Sequence, residues 1–114
     1  MAELPFSRLR RAAGLVFLSG EVPFNAEGSV PEGISAQTDL VLDRIGATLA
    51  SENLTLDDVV SSTVYLVDPA DFAAFNTAYA RRFNAPLPVR ATVVAALLVP
   101  HARIEISVIA ATHS

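Results

Sequence analysis

The sequence predicts an α+β domain in which one mixed β-sheet carries two helices on one face. Three observations predict it. The elements run in the order ββαβαββ, so strands outnumber helices by more than two to one. The strand pairs at both ends of the chain look like hairpins. The chain has 114 residues, of which 52% are apolar, which suits a single core and one domain spanning 1–114. The economical packing is one sheet covered on one side. Its other face still carries apolar side chains, so it calls for a second copy of the chain.

Each element has its own signal. Residues 8–13 and 15–22 read as short strands around Gly14, and Leu15-Val16-Phe17-Leu18 is a continuous apolar run. Residues 23–33 hold two Pro and two Gly and read as a loop. Residues 34–52 read as a helix, with Leu42, Ile45 and Leu49 in one stripe widened by Ala36, Leu40 and Val41. Thr55-Leu56-Asp57-Asp58 reads as a capped turn, and the β-branched run 59–67 as a strand. Asp68 suits an N-cap and Pro69 the first helical position of a helix over 69–83. Phe72, Phe75, Tyr79 and Phe83 would form its buried stripe. The loop 84–88 carries Pro86 and Pro88 and ends it. Strands follow over about 90–98 and 103–111, joined by a turn at Pro100-His101.

Composition removes whole classes of function. There is no Cys, so there is no disulfide, no thiol nucleophile and no Cys-bound zinc or iron–sulfur cluster. His101 and His113 are the only histidines, which leaves no metal-ligand spacing and no triad. All eight basic residues are Arg and the net charge is -4, which argues against a nucleic-acid binder. No run approaches the ~20 apolar residues needed to span a bilayer. Arg8, Arg10 and Arg11 before an apolar run loosely mimic a signal peptide, but a buried strand is the better reading. A cytoplasmic location is therefore expected, with no cofactor, no nucleic acid and no membrane.

A few residues could carry chemistry. Arg90 begins a strand just after two prolines that stiffen the approach to it. Its guanidinium can hold a carboxylate through two parallel hydrogen bonds; an ordinary surface ion pair is the alternative. Glu105 lies mid-strand, sharing a face with Arg103, Ser107 and Ile109, opposite Ile104, Ile106, Val108 and Ala110. Partial burial would raise its pKa toward that of a useful base; a solvated Glu paired with an Arg is the alternative. Ser19-Gly20 ends a strand, where glycine permits close approach by a ligand or a chain, or simply forms a bulge. Asn76 is an unfavourable residue inside a helix, with either a buried partner or plain exposure to account for it.

Taken in order, several segments resemble the RidA/YjgF family of imine deaminases, also labelled L-PSP endoribonucleases. They are Leu15 through Pro23, Ala36-Gln37-Thr38 through Ile45, Leu56 through Leu66, Asp71-Phe72 through Tyr79, Pro88-Val89-Arg90, and Ile104-Glu105-Ile106. The likeness covers nearly the whole chain. It implies a chorismate-mutase-like fold and a homotrimer with a ligand cleft at each subunit interface. It also implies that Arg90 holds a substrate carboxylate and that Glu105 positions or activates water. Ser19, Gly20, Asn76 and Thr92 would line the cleft. Phe6 stands where the family often has Tyr, Glu21 where it has Gln, and Thr92 where many members have Cys. The loop before Arg90 is also shorter than in many members.

The expected activity is hydrolysis of enamines or imines of 2-amino acids to 2-oxo acids and ammonia. A non-catalytic trimer binding a small carboxylate is the alternative, and the ribonuclease of the older label comes third. The absence of Lys has no functional account.

Overall fold

The computed structural model describes residues 4–113. Five strands and two helices occur in the predicted order: β1 (Leu9–Ala12), β2 (Leu15–Leu18), α1 (Ile34–Ala50), β3 (Val59–Leu66), α2 (Phe72–Ala80), β4 (Val89–Val94) and β5 (Ile104–Ala111). The strands make one mixed sheet in the order β1-β2-β5-β3-β4. Most strands are shorter than predicted, because solvated ends fray where no neighbour continues the ladder.

The first hairpin forms as expected. Ala13 and Gly14 turn it with φ of 54° and 77°. Two left-handed residues give the turn whose twist matches the flanking strands. The second expected hairpin does not exist. β4 lies on the sheet edge, parallel to β3, while β5 sits between β2 and β3 and is antiparallel to both. Burial decides this. Ile104, Ile106, Val108 and Ala110 of β5 are all buried, which suits a central strand. β4 is mostly exposed and suits an edge. With α2 as the crossover, β3-α2-β4 becomes a parallel unit, which a hairpin turn could not provide.

The core lies between the sheet and the helices. Val41, Leu42, Ile45 and Leu49 of α1 and Phe75 of α2 pack on Val16, Val64, Leu66 and the alternate residues of β5. Ala36 is exposed, and Gln37 and Thr38 are buried instead. The Gln37 amide explains the rotation: its Nε2 donates to the Pro31 and His101 carbonyls, and its Oε1 accepts from Arg103 N–H. The turn at 56–58 carries the full capping box, Thr55 receiving from Asp57 and Asp58 receiving from Thr55. Asp68 caps as predicted, accepting from Ala70 N–H. A 3₁₀ turn over Pro69–Asp71 precedes α2, so the α-helix itself is nine residues long. Phe72 departs from the predicted stripe and is 46% exposed.

Phe17, Val89 and Val93 are exposed on the face away from the helices. No helix among the described residues is long and apolar enough to cross a membrane.

Candidate functional site

The two residues singled out for chemistry lie on opposite sides of the sheet. Arg90 pairs in register with Ser62, which in turn faces Val108. Ser62 and Val108 are both buried on the helix side. Glu105 pairs with Tyr65, and both belong to the open face. Two strand spacings and three residues separate Arg90 from Glu105, ~14 Å between Cα atoms by strand geometry. Within one chain they do not meet.

Arg90 is held by α2. Its Nη2 donates to Asn76 Oδ1 at 2.7 Å. Its guanidinium carbon lies 4.9 Å from the Tyr79 ring centre, 5.0 Å from Phe75 and 5.9 Å from Phe72. Such stacking contributes roughly 0.5–2 kcal/mol and fixes the plane of the fork. Arg90 has no carboxylate partner among the described residues. Asn76 thus has a partner, though not a buried one: it is half-buried and accepts from the exposed Arg90. The exposed Phe72 is explained too, since it supplies one wall for the guanidinium.

The aromatic support was not foreseen in the sequence, where these rings were assigned to the core alone. The signal was Asn76 lying among Phe72, Phe75 and Tyr79, which puts its amide beside the aromatic stripe. Under Arg90 two hydroxyls are buried without a well-formed hydrogen bond, Ser62 Oγ and Tyr79 Oη. They lie close enough for Ser62 to favour the phenolate, but burial dominates and raises the Tyr79 pKa.

Beside Arg90 opens a cleft of about 390 Å³ lined by Asn76, Tyr79, Ala80, Phe83, Leu87 and Pro88. A larger hollow of about 850 Å³ lies between residues 30–33 and 101–103. It contains none of the predicted site residues. The Gln37 amide is engaged there, and Arg103 is paired twice with Asp71, at 2.8 and 2.9 Å.

Glu105 belongs to a second cluster, with Ser19, Gly20 and Glu21. After Phe17↔Ile109 the ladder resumes at Glu21↔Ile106, with one more residue on the β2 side than on β5. That bulge lays Gly20 against Glu105. A Cβ on Gly20 would overlap Glu105 Oε2 and stand 3.0 Å from Cδ. Any larger residue here would push the Glu105 carboxylate out of its present position. Ser19 Oγ donates to the Ser7 carbonyl, which ties the N-terminal segment to this bulge. Glu105 is partly buried, and its pKa is raised by desolvation first and by the charge of Glu21 second. It forms no ion pair among the described residues. Glu21 itself pairs with Arg44 of α1, whose Nη1 also donates to the Phe24 carbonyl.

Thr92 lies on the helix side of β4, two residues beyond Arg90 and in register with Val64. Phe6 is 62% exposed before β1 and touches neither cluster through a hydrogen bond. The structure thus joins Arg90 with Asn76, and Glu105 with Gly20, but leaves the two groups apart.

Comparison with known proteins matches the family described as Endoribonuclease L-PSP over residues 1–112. "Reactive Intermediate Deaminase A, chloroplastic" of Arabidopsis thaliana is 40% identical over 93% of this chain, which spans only 58% of that protein's length. The "Putative regulator AldR" of Lactococcus lactis is 33% identical, over 96% of this chain and 89% of its own. The crystal structure of the E. coli YjgF gene product superposes with a TM-score of 0.87 at 32% identity, covering 98% of this chain and 91% of that one.

Proposed function

The chain belongs to the Endoribonuclease L-PSP family, which includes the RidA and YjgF proteins, and on that premise we propose that it hydrolyses 2-imino acids. The products are a 2-oxo acid and ammonia. One observation carries the reading: Arg90 is exposed, oriented by Asn76 and aromatic faces, and its fork has no carboxylate partner among the described residues. A substrate carboxylate is the natural complement, bound through two parallel hydrogen bonds. The C=N carbon next to that carboxylate is then fixed in place.

Glu105 would orient a water toward this carbon and take its proton. Oxygen adds to carbon and the C=N electron pair moves to nitrogen. Glu105 passes that proton to the nitrogen, then relays the hydroxyl proton to the amine, so that the C–N bond breaks as the oxygen's electrons form C=O and ammonia leaves. Orientation and one acid–base group supply the catalysis. A partly buried carboxylate with a raised pKa is a stronger base than a solvated one. Each site would combine Arg90 of one chain with Glu105 of another, in a homotrimer in which the β4 edge of each subunit meets the open face of its neighbour. The exposed Phe17 and Val93 support such an assembly. The same reading places the protein in the cytoplasm on its N-terminal composition, whereas one relative is named as chloroplastic.

The test is Arg90→Ala with 2-iminopropanoate made in situ. Acceleration should fall by at least about 100-fold, with the oligomer intact by light scattering. Full activity in that variant would remove the assigned role. A relative named as a regulator, together with Phe6 lacking a phenolic hydroxyl, favours one second reading: a carboxylate-binding sensor. Saturable binding of 2-oxobutanoate with no turnover of any imine would support it.

A further inference from the structure

We propose that the cleft beside Arg90 receives the substrate's side chain and selects 2-imino acids bearing a branched aliphatic or aromatic group. The inference rests on the imine hydrolysis proposed above and adds its substrate class. The cleft is polar at one end only, where Arg90 and Asn76 stand. The rest is Tyr79, Ala80, Phe83, Leu87 and Pro88. The inner face of the guanidinium is taken up by the Tyr79 and Phe75 rings, so a carboxylate must approach its outer edge. A 2-imino acid held there has its side chain two bonds from the carboxylate carbon, within reach of the apolar wall.

The wall is built to last and sized for more than a methyl group. Tyr79 and Phe83 stack with ring centres 4.5 Å apart, and Phe83 is anchored in the core. Leu87, from the loop that stiff prolines close, is 67% exposed. Its own chain covers only about a third of it, and an apolar ligand group would cover more. The volume of about 390 Å³ is in the range of small-molecule sites. An alanine-derived imine would leave most of that apolar surface wet. Each further methylene in such a pocket changes discrimination by about tenfold or more. A charged side chain would find no partner among these residues.

The experiment compares imines generated in situ by an amino-acid oxidase from L-leucine, L-phenylalanine and L-alanine. The wild type should show kcat/KM for the leucine- and phenylalanine-derived imines at least about tenfold above the alanine-derived one. Ala80 is exposed at the cleft rim, so Ala80→Leu fills space without touching the core. It should lower kcat/KM for the larger imines about tenfold more than for the alanine-derived one. Leu87→Ala, which removes part of the wall, should narrow the preference in the same direction. If the alanine-derived imine is handled as well as the others, or if Ala80→Leu affects all three equally, the side-chain subsite is wrong and imine hydrolysis stands. If the wild type accelerates none of them, the hydrolysis itself is wrong and the subsite falls with it.

Discussion

Glu105 sits where a residue-scale change can be read in a pH profile. Its carboxylate is disfavoured by burial and, to a lesser degree, by the charge of Glu21. If ionised Glu105 takes the proton from water, kcat/KM must fall as pH drops through that raised pKa. Glu21→Gln removes the neighbouring charge and keeps the shape. The Glu105 pKa then moves down, and the acid limb of kcat/KM should shift to lower pH. The check is a rate profile from pH 4 to 8 for both proteins; an unmoved limb would detach Glu21 from the chemistry. The substitution should also lower the Tm, because the Glu21 side chain is only 14% exposed and its charge answers Arg44, although Gln keeps an oxygen that can accept from Arg44 Nε.

At the scale of elements, much was legible in the sequence and some was not. Both helices, the first hairpin, the capped turn at 55–58 and the alternation of β5 follow from local pattern, which short-range forces enforce. The position of β4 does not. Whether Val89–Val94 pairs with the strand before or after it depends on which strand can be buried on both sides, a property of the assembled sheet. The same limit hid the site. The sequence put Arg90 and Glu105 forward, but not that Phe72, Phe75 and Tyr79 hold the guanidinium, because α2 meets β4 only after the crossover closes. The turn between β1 and β2 offers a clean element-scale prediction. Ala13 holds φ of 54°, a conformation its Cβ disfavours and Asn tolerates. Ala13→Asn should stabilise the protein by about 0.5–1 kcal/mol, seen as a higher Tm with unchanged activity. A lower Tm would mean that the turn is held by something other than its own backbone preference.

At the scale of the whole molecule, the sheet keeps Arg90 and Glu105 on opposite faces, so a single chain holds two incomplete halves. Arg90, the proposed carboxylate clamp, is held between β4 and α2, and Glu105, the proposed water-positioning acid, lies on β5 against the bulge at Gly20. In the proposed assembly the exposed apolar face of one copy and the β4 edge of another would join them. Mixed assemblies test this most directly. Arg90→Ala and Glu105→Ala proteins should each be inactive, and unfolded mixtures of the two, refolded together, should regain about a quarter of wild-type activity. That is the share of sites that pair an intact Arg90 with an intact Glu105 from different chains under random assembly. No recovery from mixtures proven to contain both chains would contradict a site shared between subunits.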